Sequence, residues 1–210
     1  MTRSASRTSF RACLALGAAL ASTALGTTAS AAMPASAAHG AGPQAHAAAA
    51  SGCPVVYFDL GETLVHTAED GSTGYLPGAA AYLRELRARH ITVGLITNVP
   101  SSWGATDAER AAVLKNEVDG AWTDSAPFAW EDFGDRILTP RTEEERKPAP
   151  ALFERALADA DGCRPVYESE TAEETRVAAS LGYVAYQVGQ PSRPAYLPAR
   201  LIELLTRAAG

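Results

Sequence analysis

The chain has 210 residues, 47% of them hydrophobic and 20% charged, with 18 Lys and Arg against 24 Asp and Glu and a net charge of −6. At roughly 150 residues per domain this allows one to two domains, and the acidic balance excludes a basic nucleic-acid surface as the default partner face.

Met1 to Ala31 carries Arg3, Arg7 and Arg11 and no acid, then the apolar run Ala12 to Leu20, and closes on Ala29-Ser30-Ala31. A basic start, a short apolar middle and an A-x-A exit mark a secretory signal peptide over 1–31. A second exit, Ala35-Ser36-Ala37, offers cleavage at 37 instead. Cleavage removes three arginines and no acid, so the net charge moves from −6 to −9. The apolar run is shorter than the ~20 residues of a membrane span, and none follows it. The expectation is a secreted, extracellular chain without membrane contact after cleavage; an uncleaved signal acting as an anchor is the alternative. Residues 32–51 are built from Ala, Pro, Gly, Ser, His and Gln, with no large apolar side chain after Met33. Such a composition cannot offset its ordering entropy, so a disordered linker is expected, with His39 and His46 solvated rather than bound to metal. The folded domain is then 52–210, about 158 residues and of ordinary size for one core.

Val55-Val56-Tyr57-Phe58 is a continuous apolar run, as in a strand buried on both faces. Pro77 to Arg89 has apolar residues at helical spacing behind an early proline. Ile91 to Ile96 reads as a strand, Asp107 to about Glu117 as a helix, Arg136 to Leu138 as a short strand and Ala149 to Ala160 as a helix. Pro165-Val166-Tyr167 is a further strand, Ala172 to Leu181 a helix ended by Gly182, Val184 to Val188 the last strand, and Pro198 to Ala208 a closing helix. Strict alternation of strand and helix argues for an α/β fold with a doubly wound parallel sheet. Ligands of such sheets bind beyond the carboxyl ends of the strands, so the residues just after each strand matter most.

After the first strand stands Asp59-Leu60-Gly61-Glu62-Thr63-Leu64. A carboxylate there, near a glycine that lets backbone approach a bound group, can be a nucleophile or a metal ligand; the alternative is an Asp capping the turn. Thr97-Asn98 after the second strand offers a hydroxyl and an amide to an oxyanion, or simply makes a turn. The chain has sixteen arginines and two lysines, so Lys147 departs from its habit. A compact ammonium is a different partner for a carboxylate or phosphoryl oxygen than a guanidinium fork is; the alternative is a solvated Lys beside Glu143, Glu144 and Glu145. Glu168, Glu170, Glu173 and Glu174 follow the fourth strand. They could hold a hard divalent cation against Asp59, or could only furnish the acidic first turn that a helix dipole favours.

Together, in this order, these segments resemble the haloacid dehalogenase (HAD) superfamily over Val55 to Val188. Val55-Val56-Tyr57-Phe58-Asp59-Leu60-Gly61-Glu62-Thr63-Leu64 is similar to its first motif, Leu95-Ile96-Thr97-Asn98 to the second, and Lys147-Pro148-Ala149-Pro150-Ala151-Leu152-Phe153 to the third. Ser169-Glu170-Thr171-Ala172-Glu173-Glu174 is similar to the acidic fourth, with glutamates where aspartates are usual. The resemblance implies a three-layer Rossmann-like domain. It also implies a Mg²⁺-dependent phosphatase acting on a phosphorylated small molecule or an exposed phosphoryl group. Asp59 would be the nucleophile that becomes an aspartyl phosphate, Thr97 would bind a phosphoryl oxygen, and Lys147 would offset the gathered charge. Asn98, Gly61 and Glu62 would line the substrate. The metal would be held by Asp59, the Gly61 carbonyl and Glu170, with Glu174 or Glu168 in reserve.

The family's phosphatases carry a second Asp two residues after the nucleophile, as general acid and base. Here that position is Gly61, and such assistance is typically worth about 10²–10⁴-fold. Glu62 is adjacent, but neighbours in an extended loop point to different sides, so it is not simply promoted; His66 is a substitute if the loop after Leu64 folds back over the site. The stretch Val65 to Leu76 is long enough for a flap but not for a cap domain, and Trp103, Trp122, Trp130 and Phe133 are expected to pack over the sheet edge rather than form a substrate platform. Two cysteines remain after signal cleavage, Cys53 and Cys163, and an even pair in an exported chain invites a disulfide. In the resembling fold their strands are parallel neighbours, which puts both thiols at the edge opposite the active site. A phosphatase gains more from the metal-site acids than a dehalogenase would. The rival reading is a catalytically inactive extracellular binding or interaction domain that kept the fold and lost the acid.

Overall fold

The structure is a computed structural model, and it describes residues 53–160 and 162–207. The expected signal peptide and linker lie outside the described residues. In chain order the strands are β1 (Val55–Phe58), β2 (Val65–Thr67), β3 (Thr73–Tyr75), β4 (Thr92–Ile96), β5 (Ile137–Leu138), β6 (Val166–Ser169) and β7 (Val184–Gln187). The helices are α1 (Ala79–Ala88), α2 (Asp107–Ala121), α3 (Ala151–Asp159), α4 (Ala172–Ser180) and α5 (Ala199–Arg207).

Five strands form one sheet in the order β5-β4-β1-β6-β7, with every pairing parallel. All four residues of β1 are buried, because the central strand is covered on both faces. Val56 and Phe58 pack with Leu83 and Leu86 of α1, Leu114 of α2 and Ile202 of α5. Val55 and Tyr57 pack with Leu152, Phe153 and Ala156 of α3 and Ala178 of α4. The fold is therefore the expected three-layer, doubly wound α/β sandwich. Gly94 of β4 is required by a close approach: a Cβ there would lie 2.6 Å from the ring of Tyr57 on the neighbouring strand. Helix α2 runs past the expected Glu117 to Ala121, from a capping box in which Thr106 accepts from the Glu109 N–H and Glu109 accepts from the Thr106 N–H.

Between β1 and α1 lies an antiparallel hairpin, β2 paired with β3, which the sequence showed only as a short flap. There is no large cap among the described residues. Tyr75 of the hairpin packs edge-on to Trp122 at 4.9 Å between centroids and stacked on Phe128 at 5.3 Å. Phe133 is buried, and Trp103, Trp122 and Trp130 pack partly buried against the same core, so the aromatic group anchors the flap to the domain. Asp124 adds a polar clasp by accepting the Tyr75 N–H at 2.8 Å.

Cys53 and Cys163 form a disulfide, with their Cα atoms 5.6 Å apart. They precede β1 and β6, which are parallel neighbours, so the bridge sits at the amino edge of the sheet. It spans 110 residues, a loop for which the chain-entropy model gives up to roughly 4.7 kcal/mol of stabilisation.

Candidate active site

At the opposite edge, Asp59 follows β1, Thr97 follows β4, and Glu170 follows β6. The strand order reverses between β1 and β6, which is where open α/β sheets form their ligand crevice. Asp59 is tied into this edge by its N–H, which donates to the Glu168 carbonyl at 3.0 Å. Thr97 is buried, and its N–H donates to the Leu138 carbonyl at 3.1 Å.

Lys147 reaches this crevice from the segment before α3. Its side chain is 1% exposed, and Nζ donates to Asp59 Oδ1 at 2.7 Å, Glu174 Oε2 at 2.8 Å and the Tyr167 hydroxyl at 3.0 Å. Three ammonium protons thus meet three acceptors, as a buried cation requires. The Tyr167 hydroxyl in turn donates to Glu174 Oε2 at 2.6 Å, and so does the Ser169 hydroxyl at 3.1 Å. Burial, resisted by Lys147 and reinforced by Glu174 and Glu170, lifts Asp59 to about 6.

Two residues take positions other than those expected. Both ends of the Asn98 amide are engaged by the Lys147 backbone: Nδ2 donates to its carbonyl at 3.0 Å and Oδ1 accepts its N–H at 2.8 Å. The Asn98 amide is therefore closed onto the Lys147 backbone. Glu174, expected among the metal ligands, has Oε2 surrounded by three donors and is the counterion of Lys147.

Glu170 stands beside Asp59 and is held from the first motif. Its Oε2 accepts from the Thr63 hydroxyl at 2.6 Å, its Oε1 from the Thr171 hydroxyl at 2.9 Å, and its N–H donates to Thr63 Oγ1 at 3.1 Å. Burial opposes its charge, but the Thr63 and Thr171 hydrogen bonds outweigh it and keep the carboxyl below its ordinary value. The turn after Asp59 is closed by Leu60, whose carbonyl accepts the N–H groups of Leu64 at 2.9 Å and Val65 at 3.0 Å. The Gly61 carbonyl takes no part in that turn's hydrogen bonds. Glu62 lies in the left-handed region at φ 52°, and its carboxylate contacts His66 Nδ1 at 2.9 Å.

Glu168, named in the sequence as a reserve metal ligand, is on the other side of the sheet. On a strand Tyr167 and Ser169 share one face and Glu168 takes the opposite one, where it is fully buried against Tyr82 and Leu197. The Tyr82 hydroxyl lies 2.6 Å from both Glu168 Oε1 and the Leu197 carbonyl, yet carries a single proton. A neutral Glu168 resolves this, donating to Tyr82 while Tyr82 donates to Leu197. Burial, opposed by the Tyr82 and Leu197 hydrogen bonds, pushes Glu168 up to about 8. The folded value lies above the ordinary 4.5, so folding retains a proton that the unfolded chain releases, and stability falls as pH rises from about 4.5 to about 8. Glu168→Gln keeps a donor and an acceptor and never ionises. It is expected to leave stability near that of the parent at pH 5 and to raise it by a few kcal/mol at pH 9. Thermal unfolding at both values checks this; an equal change at both would contradict it.

Thr63, Tyr167 and Ser169 were not picked out in the sequence. The period-two alternation of β6 was the available signal for Tyr167 and Ser169, which must face the same side. Thr63 had none beyond its place in the first motif.

No family model and no curated protein matches the chain. Among solved structures it is similar to an uncharacterized protein from Listeria monocytogenes serotype 4b, at 17% identity and a TM-score of 0.47 over 72% of this chain and 96% of that one. It is also similar to a Mesorhizobium loti protein whose description as a HAD-like phosphatase is itself provisional, at 14% identity and a TM-score of 0.43 over 74% of this chain and 85% of that one.

Proposed function

We propose that this domain is a secreted phosphatase of the haloacid dehalogenase type, in which Asp59 attacks phosphorus and carries the phosphoryl group before water releases it. The observation that carries the reading is the Lys147–Asp59 contact of 2.7 Å at the switch crevice, with Glu170 alongside. An anionic nucleophile attacks an anionic phosphate only where fixed cations and dipoles offset the repulsion. Lys147 supplies that cation and keeps Asp59 ionised near neutral pH against its burial. Thr97 is the residue assigned to a phosphoryl oxygen.

Mg²⁺ fits the donor set. Among the described residues there is no cluster of three or more His, Cys, Asp or Glu suited to a metal ion. Mg²⁺, however, usually takes one or two carboxylates and keeps its remaining places for water and phosphate. Asp59, Glu170 and the Gly61 carbonyl would hold it, with Glu174 left to Lys147. When bound, it supplies charge neutralisation of the phosphoryl oxygens.

The second reading, a binding domain without turnover, is favoured by Gly61, which has no proton to give a leaving group. An activated aryl phosphate discriminates, because its leaving group needs no acid. Turnover is expected with Mg²⁺, and loss of it in Asp59→Asn. Absence of Asp59-dependent turnover on that substrate would sink the enzymatic reading.

A further inference from the structure

We propose that the hydroxyls of Thr63 and Thr171 clamp Glu170 by both of its carboxylate oxygens, making the two threonines positioning residues that set how tightly the crevice holds Mg²⁺ and how strongly it prefers Mg²⁺ to Ca²⁺. The inference rests on the reading of Glu170 as a metal ligand beside Asp59.

A glutamate brings one more rotatable bond to a cation than an aspartate does, and a side chain that is ordered only on binding loses affinity to that ordering. At Glu170 the ordering is already done. Thr63 is fully buried, and its hydroxyl makes a two-point contact with this one residue: it donates to Glu170 Oε2 at 2.6 Å and accepts the Glu170 N–H at 3.1 Å. Thr63 is itself anchored, because its carbonyl accepts from the Tyr196 hydroxyl at 2.8 Å. From the other side the Thr171 hydroxyl donates to Oε1 at 2.9 Å, and Gln187 Nε2 donates to the Glu170 carbonyl at 3.0 Å. Both carboxylate oxygens and both backbone polar groups of Glu170 are thus held.

Two observations set this clamp apart from the routine pairing of buried hydroxyls. Thr171 is the N-cap of α4, where a threonine ordinarily accepts an N–H of the first turn, and its side chain makes no such bond. Its hydroxyl serves Glu170 instead of its own helix. The clamp also acts at the crevice itself, since the Asp59 side chain is within hydrogen-bonding reach of the Glu170 carboxylate. It leaves room for a cation: a carboxylate offers about four lone pairs, and the two hydroxyls take one on each oxygen. Ser169 Oγ lies 3.3 Å from Oε2, but its single proton goes to Glu174.

The selectivity follows from the geometry each cation needs. Mg²⁺ demands near-ideal octahedral placement of its ligands, whereas Ca²⁺ accepts longer and more flexible coordination. A Glu170 released from its threonines therefore weakens Mg²⁺ more than Ca²⁺.

Calorimetric titration of the full chain with MgCl₂ and with CaCl₂ tests this in the parent, Thr63→Val, Thr63→Ser, Thr171→Val and Glu170→Gln, with thermal unfolding to show that each is folded. Thr63→Val is expected to weaken Mg²⁺ binding by about 10–100-fold, the usual effect of removing a partner of a metal ligand, and Ca²⁺ binding by a smaller factor. Thr63→Ser keeps the hydroxyl and should bind both cations nearly as the parent does. Thr171 is half-buried and has no cap bond to lose, so Thr171→Val should lower the Mg²⁺-to-Ca²⁺ affinity ratio while leaving the melting temperature near that of the parent. This variant carries the test if Thr63→Val does not fold. A purely structural role for the threonines predicts a lower melting temperature in Thr63→Val with unchanged affinity for both cations. Unchanged affinities in the folded threonine variants, with Mg²⁺ bound by the parent and lost in Glu170→Gln, overturn this inference alone. If the parent binds no Mg²⁺, or Glu170→Gln binds it as the parent does, the assignment of Glu170 as a ligand falls and takes the inference with it, while Asp59-dependent turnover of the aryl phosphate stands or falls by its own assay.

Discussion

Gly61→Asp is expected to raise turnover of a primary alkyl phosphate by about 10²–10⁴-fold over the parent chain. Gly61 has no proton to give a leaving group, so the gain measures a new acid against none at that position. The backbone at Gly61 is outside the left-handed region, and a Cβ there meets no atom within 4 Å, so an aspartate is accommodated without strain. Its charge is the counterweight. A further carboxylate joins Asp59 and Glu170, whose repulsion already contributes to the raised value of about 6 at Asp59. The gain should therefore be largest at saturating Mg²⁺ and shrink as the metal is withdrawn, since the cation is what offsets added negative charge. Steady-state kinetics on the variant and the parent across a Mg²⁺ series checks both statements. A well-folded variant with no gain at any Mg²⁺ concentration would mean that protonation of the leaving group does not limit this site.

Lys147→Met is expected to abolish turnover and to destabilise the fold by about 3–5 kcal/mol at pH 8. The side chain is 1% exposed and its partners Asp59 and Glu174 are 13% and 10% exposed, so its removal leaves two carboxylates buried without their cation. Lys147 is also what holds Asp59 down against its burial, and without it the nucleophile is driven further toward its neutral, unreactive form. The sign follows: Asp59 already has a folded value above its unfolded one and loses the cation that lowers it, so the penalty is smallest at acid pH and grows as pH rises. Urea unfolding at pH 5 and pH 8 should give a clearly smaller loss at pH 5, and a pH-independent loss would contradict the buried-ion account. Lys147→Arg should not rescue, because a planar guanidinium cannot replace a compact ammonium among three convergent acceptors.

The alternation of elements was legible in the chain because each strand of a buried parallel sheet must be apolar throughout, as in Val55 to Phe58. The flap hairpin was not: Val65–Thr67 and Thr73–Tyr75 are three residues each and polar on their exposed positions, too short for any periodicity. At the site, Asp59, Thr97 and Lys147 could be singled out because each follows or precedes a readable element. Their partners were harder. Asn98 looked like a ligand residue from its position, and only the fold reveals that its amide is closed onto the Lys147 backbone.

Composition, charge and motif order by themselves determined the α/β class, the edge of the sheet where chemistry would gather, and the pair of cysteines available for bridging. Each of these depends on local residue type and on strand direction, which a linear chain encodes directly. The division of labour among the glutamates was decided by tertiary structure alone. Glu168, Glu170 and Glu174 differ little in sequence, yet one faces Tyr82 across the sheet, one is held anionic by Thr63, and one is matched to Lys147. What separates them is the strand's alternation combined with the arrival of partners 27 to 107 positions away, a relation fixed only once the sheet has assembled. The acidic excess that excluded a basic partner surface thus resolves into one buried neutral acid, one counterion and one candidate metal ligand.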